Sequence, residues 1–589
     1  MMDYKKAAHD FIQNETEFHL GKIPTEQANP LTRNLSSVIA ADTQKGIQMI
    51  LSADGRIPDV GLNCFKSGEF ALLVSEIRRC VEENRMFVFS SVGASGRMGL
   101  QLESTWHQFW EELANKLPQH GEEFRRISKC CNSFMTGGDR AVVHTVETFE
   151  DYQTFGAQQT IESGAEPGDV VIVLAECGLS SSTIGSAIQA VTSGIRTFYL
   201  FCNPKDALCE QLERARKVFS YEDIVFLPLY VGNMAIAGST RMQVTTVELL
   251  VAGAALELAA WDWLKAHLPE KELSAVGACA LQAEQYAQSY RSLLAQLSEG
   301  TALAGLAEMV DYEKQTYEQH GLITYCTHTY LQDILTDTTE RQPTFTLPPF
   351  RRSNDHESPL SWAYAKDPLY PSSEAWKYII RRPVKGLNWT KEDYIRLHAA
   401  QSIIDNPPKV GSEQLAYYRI GNEDDPTRYA QHPARLVCVD VNNTATDGSF
   451  AWYAENVERF DGGRILRIGD IDGAYDDQIC VPFQTAHTIM ELLPHLAVKV
   501  IFNVISTATM AKMGRVWSNW MIQVLPTNKK LIDRSVRIIA ELADIPYETA
   551  CEEFFKSYLN RPKGQEYRES YVVETLKRLG VDNVASGEI

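Results

Sequence analysis

The sequence predicts an α/β protein: two three-layer αβα sandwiches with parallel sheets, followed by a helical C-terminal region. Three observations lead there. Short β-branched runs alternate with longer helical patterns, the mark of βαβ units. The alternation restarts at Leu322, and the segment 501–589 keeps a helical pattern. In a doubly wound sheet, ligands sit at the carboxyl ends of the strands.

Taken in order, the first-half strands are expected at Met86–Ser91, Val170–Leu174, Arg196–Phe201 and Ile224–Leu229, with helices at Glu69–Glu83 and Ile184–Thr192. The apolar stretch Val247–Trp261, interrupted by Glu248 and Glu257, is too short to span a bilayer and reads as a buried helix. Second-half strands are expected at Leu322–Cys326, Leu436–Val441, Arg464–Ile468 and Ile479–Phe483. Pro343–Lys385 is rich in Pro, Ser and aromatics and reads as a long ordered insertion, because linkers rarely carry so many aromatics. From Lys499–Trp520 onward the chain reads as helix. The expected division is 1–300, 301–500 with the insertion, and 501–589.

A chain of 589 residues with 44% hydrophobic and 22% charged content can bury a sizeable core. A net charge of −20 argues against nucleic acid as the main partner, since phosphate backbones need a basic face. The start, MMDYKKAAHDFIQNE, lacks the apolar stretch of a secretory signal, and the twelve cysteines show no CxxC spacing. Reduced thiols in the cytoplasm, with no membrane partner, are the expectation. Nothing has metal-ligand spacing, and no cofactor is expected.

The run FVFSSVGASGRMGLQLEST joins a strand to a Gly/Ser turn and then a helix, a place where free N–H groups can hold an anion. Sliding the chain so that Phe87 falls on Leu322 lays this run over LITYCTHTYLQDILTDTTE, strand on strand and helix on helix. The Gly/Ser turn is absent from the second run.

These residues resemble sugar isomerase (SIS) domains, specifically the N-acetylmuramic acid 6-phosphate etherases and their relative, the glucokinase regulatory protein. The resemblance is carried, in order, by Thr25-Glu26-Gln27-Ala28-Asn29, the Gly93-Ala94-Ser95-Gly96-Arg97 turn, Gly137-Gly138-Asp139 and Val146 to Asp151. It continues through Gly238-Ser239-Thr240-Arg241-Met242, Lys499 to Thr507, and Thr527-Asn528-Lys529-Lys530-Leu531. It covers most of the chain and implies two SIS-type sandwiches in series, an internal pseudo-dimer.

Etherase chemistry, as the resemblance implies it, removes the proton at C2 of a ring-opened sugar phosphate, expels lactate from C3 and adds water. Two acids are needed. One family acid matches Glu150. The other is absent from the first copy, which has Thr105, but present in the second as Glu340 within Asp337-Thr338-Thr339-Glu340. A family lysine falls on Glu248 in copy one and on Lys499 in copy two. The expectation is therefore one composite site between the halves, with Glu150 and Glu340 as the acids. Gly93, Ala94, Ser95, Gly96, Arg97, Ser180, Ser239, Thr240, Arg241 and Lys499 would hold a phosphorylated sugar or amino sugar. Glu176 stands where the family has small residues, and a third acid near a phosphate is unfavourable unless it faces away or binds a sugar hydroxyl. The competing expectation is a non-catalytic sugar-phosphate sensor that regulates a partner enzyme.

Overall fold

The computed structural model describes residues 3–473, 477–561 and 569–581, with the side chains of all but Glu147. The first sheet contains β1 (Phe87–Ser91), β2 (Cys131–Met135), β3 (Val170–Leu174), β4 (Arg196–Phe201) and β5 (Ile224–Pro228), in the order β2-β1-β3-β4-β5. Every pairing is parallel. The second contains β6 (Leu322–Cys326), β7 (Ala363–Lys366), β8 (Ala434–Val441), β9 (Gly463–Gly469) and β10 (Gln478–Pro482), in the order β10-β9-β8-β6-β7 and again all parallel. Counted from its own first strand, the second sheet repeats the topology of the first. The strand order reverses between β1 and β3, so the crevice at their carboxyl ends is where a ligand has room.

The central strands are continuous apolar runs because helices cover both faces; Val170 to Leu174 are all buried. The helices that matter to the site are α1 (Gly93–Lys116), α2 (Gln153–Glu162), α3 (Ser181–Thr192), α4 (Gln243–His267), α5 (Leu331–Phe345), α6 (Leu492–Lys512) and α7 (Lys529–Ala543). Both α4 and α6 have the length and apolarity of a membrane span, yet 89% and 94% of their apolar windows are buried inside the protein. The expected Val247–Trp261 helix is thus longer than its sequence pattern, and burial rather than shortness explains its apolarity. One continuous core joins β1 residues such as Phe89 to α4 and α6 residues such as Leu250 and Ile505.

The structure departs from these expectations at several points. Strand β7 lies inside the Pro343–Lys385 segment, so that segment supplies a sheet edge instead of merely interrupting the domain. Strand β2 was not anticipated: Cys-Asn-Ser-Phe-Met lacks β-branched residues. The C-terminal stretch is not helical throughout, since a short antiparallel ribbon, β11 (Val516–Trp517) with β12 (Trp520–Met521), follows α6. The expected boundary between residues 500 and 501 falls within the buried α6.

Helices α2 and α3 cross with almost no space between their backbones. A Cβ on Gly156 would lie 1.8 Å from the Ser182 carbonyl oxygen, and one on Gly185 1.9 Å from that of Gln153. Neither obstacle is a flexible side chain. Gly156→Ala or Gly185→Ala is therefore expected to cost about 3 kcal/mol, the upper end of ordinary overpacking, read as a lowered thermal midpoint. An unchanged midpoint would contradict the close crossing.

Candidate functional site

A cleft enclosing about 590 Å³ of non-protein space, its open mouth included, lies at the carboxyl ends of β1 and β3. From the first half it is lined by Gly93, Ala94, Glu150, Glu176 and the Gly238–Arg241 turn; from the second by Glu340, Pro343 and Thr344; and from α7 by Lys530 and Arg534. Glu340 therefore shares one cavity with Glu150 and the turn after β1.

Gly93 has φ +56°, a left-handed conformation that glycine adopts without strain. It swings the chain from β1 into α1, whose first residues, Gly93 and Ala94, line the cleft. Ser239 follows Gly238, itself at φ +76°. The Ser239 hydroxyl is buried and has no hydrogen-bond partner among the described residues, and neither does Nε of Arg241. Orphaned buried donors are uncommon in native structures.

The acids differ in their company. Glu150 sits on a 3-10 turn, Glu147–Asp151, braced by Phe149 against Phe155 and Trp389. Its carboxylate accepts from Ser180 Oγ at 2.6 Å and pairs with Lys530 Nζ at 2.9 Å. Burial pushes this carboxyl up, but the Lys530 ammonium and the hydrogen bonds outweigh it and hold it below its usual range. Burial works against the Lys530 charge as well, and Glu150 with Glu176 more than restores it. Glu340 pairs with the Arg97 guanidinium. Arg97 also donates from Nε to the Val142 carbonyl at 2.9 Å and from Nη1 to that of Gly93 at 3.3 Å. Glu176, immediately beyond β3, accepts from the Thr240 hydroxyl, and burial lifts its carboxyl to about 7.

Several expected ligand residues stand behind the cavity wall. Ser95 is fully buried and donates to Glu248 at 2.5 Å. Gly96 packs against Met135, whose methyl lies 2.8 Å from where a Cβ would be. Ser180 serves Glu150, and Arg97 serves Glu340. The Arg241 guanidinium borders the cleft but is anchored to Asp337 at 2.8 Å, with Ser506 and Thr507 at 3.0 and 2.9 Å. Lys499 does not reach the cleft lining. Its Nζ donates to the carbonyls of Arg241 and Met242 at 3.2 Å each, to Thr246 at 2.7 Å and to Asn503 at 3.0 Å. Burial drops its amine to about 7. It stitches α6 to the turn that presents Ser239.

Lys530 and Arg534 were not assigned from the sequence, although the Thr527–Leu531 motif was singled out. Asn528 caps α7 by accepting from the Leu531 N–H at 2.9 Å, which fixes the helix start and turns Lys530 inward. Arg534 makes a two-pronged contact with Glu26, at 2.9 and 2.6 Å. Burial raises the Glu26 carboxyl, but Arg534 and Arg537 pull it down to about 2.

Parts of the chain match known proteins. The family model described as "Glucokinase regulatory protein N-terminal SIS domain" matches residues 69–192. An N-acetylmuramic acid 6-phosphate etherase of Photorhabdus laumondii is 22% identical over 240 residues, covering 40% of this chain and 68% of that protein. The etherase of Actinobacillus pleuropneumoniae serotype 7 is 25% identical over 232 residues, 39% of this chain and 66% of the relative. A shorter stretch is 56% identical over 54 residues to the Listeria welshimeri etherase, spanning 18% of that protein. Among solved structures, tagatose-6-phosphate ketose/aldose isomerase from Escherichia coli aligns at 10% identity with a TM-score of 0.40, covering 80% of this chain and 93% of that one. Residues 69–192 are thus similar to the N-terminal SIS domain of the glucokinase regulatory protein, and a longer stretch is similar to the N-acetylmuramic acid 6-phosphate etherases.

Proposed function

We propose that the cleft binds one phosphorylated sugar or amino sugar per chain, at a composite site of a tandem-SIS internal pseudo-dimer. The observation that carries this is the orphaned pair of donors, Ser239 Oγ and Arg241 Nε, beside the N-terminus of α1. A helix N-terminus with unpaired hydroxyl and guanidinium donors suits a phosphate, and the acids opposite suit sugar hydroxyls. The names of the relatives point to the same ligand class. The twelve free cysteines agree with a cytoplasmic setting.

Two activities fit. In the first, the protein is an etherase-like lyase with Glu150 and Glu340 exchanging protons with the sugar. In the second it is a sensor whose occupancy controls a partner enzyme. The second is favoured by one observation: Glu150 and Glu340 are each engaged in an ion pair, by Lys530 and Arg97, and Glu150 is held below its usual range, whereas a general base works best near the operating pH.

Thermal-shift titration with hexose and amino-sugar phosphates tests the binding claim. A true ligand at a hundredfold excess over Kd stabilises the fold by about 2.7 kcal/mol, and unphosphorylated sugars leave the midpoint unchanged. Indifference to every phosphorylated sugar would refute the site. Lactate release from N-acetylmuramic acid 6-phosphate separates the two activities. In the lyase, Glu340→Gln retains the ligand-dependent shift and loses lactate release; in the sensor, the wild type releases none.

A further inference from the structure

The cations around the cleft each have their own carboxylate: Lys530 has Glu150, Arg97 has Glu340, Arg241 has Asp337, and Arg534 has Glu26. Glu176 is the lining acid outside this pairing, its direct side-chain partner being the neutral Thr240 hydroxyl. Its backbone is held at φ +55°, which a non-glycine residue adopts at a cost. Two hydrogen bonds pin it there: the Glu176 N–H donates to Glu248 Oε1 at 2.9 Å, and the Glu176 carbonyl accepts from the Cys202 N–H at 2.9 Å. A glycine would satisfy both bonds without the strain. The side chain is instead placed on the cavity lining beside the Ser239–Thr240 turn.

We propose that Glu176 is a specificity-determining residue that selects a sugar phosphate carrying a free ammonium group over one carrying a second carboxylate. This rests on the reading of the cleft as a sugar-phosphate site. The phosphate would be held by the donors at the start of α1 and at Ser239, and Glu176 would meet the amine elsewhere on the ring. A ligand with a carboxylate in that place would confront a buried acid that, unlike Glu150 and Glu340, is in no direct ion pair among the described residues, so the same residue both attracts one ligand and rejects the other. Near-neutral titration of Glu176 is consistent with this, since pairing with an ammonium would hold it ionised.

Isothermal titration of the full chain with glucosamine 6-phosphate, glucose 6-phosphate and N-acetylmuramic acid 6-phosphate tests the proposal. The wild type is expected to bind glucosamine 6-phosphate about tenfold tighter than the other two, the scale of one charge-assisted hydrogen bond. Glu176→Gln should bring the three within about twofold by removing that charge, while Glu176→Asp, which keeps it, should retain most of the preference. A wild type that binds the three equally, or prefers the acidic ligand, overturns the proposal whether or not the variants fold. So does a preference that survives in Glu176→Gln. Binding of all three without discrimination leaves the sugar-phosphate reading standing and removes only the role of Glu176; binding of none removes both.

Discussion

Asp337→Ala is expected to cost about 3–5 kcal/mol of folding stability, the penalty for stranding buried charges. Asp337 is buried on α5 and accepts four hydrogen bonds: Arg241 Nη1 and Arg341 Nε at 2.8 Å each, Ser506 Oγ at 2.9 Å and Asn503 Nδ2 at 3.1 Å. Burial raises its carboxyl, but the two guanidinium groups outweigh this and keep it ionised. Without it Arg341 retains Glu313 at 2.9 Å, whereas Arg241 loses its carboxylate and keeps the Ser506 and Thr507 hydroxyls and the Phe345 ring. The damage should fall on the turn that presents Ser239, so ligand-dependent stabilisation should disappear together with intrinsic stability. Denaturant unfolding with and without ligand measures both. A loss below about 1 kcal/mol, the range of an exposed ion pair, would mean that the cluster is not the keystone it resembles.

The second large effect is a pH dependence opposite to that of most carboxylate-rich proteins. Burial raises Glu248 to about 8, Glu176 to about 7 and Glu257 to about 7, from an ordinary 4.5. A carboxyl whose folded value is raised binds its proton more tightly when folded. Between 4.5 and its folded value, stability therefore falls as pH rises. For Glu248 alone the span is worth on the order of 5 kcal/mol. Bases lowered by burial act in the other direction: His144, lowered to about 4, disfavours the fold below its ordinary 6.5, and Lys499, lowered to about 7, disfavours it below its ordinary 10.5. From pH 7 to 8 Glu248 and Lys499 nearly cancel, and from 6 to 7 the three acids prevail. The thermal midpoint is thus expected to be higher at pH 6 than at pH 7.5, with the difference reduced in Glu248→Gln. A midpoint that rises over this interval would show that these acids are not buried as described.

Sequence patterns were most informative where one physical effect dominates. Val170–Leu174 and Leu322–Cys326 are strands at their expected bounds because both faces are covered and every residue must be apolar. Two of the four edge strands, β2 and β7, escaped for the converse reason. In β2, Asn132 accepts from Lys385 and Ser133 donates to Glu103, so the pattern looks polar; β7 is a four-residue strand inside a proline-rich stretch. At the site, motif order placed Glu150, Glu340 and the Ser239–Arg241 turn around one cleft. It could not place the ends of long side chains. Lys499 occupies a plausible position on α6, yet its ammonium reaches backbone carbonyls on α4's lead-in turn. Lys530 and Arg534 become cavity residues only because α7 docks against the N-terminal segment, a contact that leaves no local pattern.

That docking sets the order in which the protein can be built. Glu26 and Arg534 are separated by 508 positions along the chain. At ribosomal speeds of about 5–20 residues per second, roughly 25–100 s pass between the synthesis of the two. While only the first sheet has been synthesised, the cleft lacks Glu340, Lys530 and Arg534. The lining of the cleft is therefore complete only once α7 has been made, so a chain cut short before Lys530 keeps an unfinished cavity.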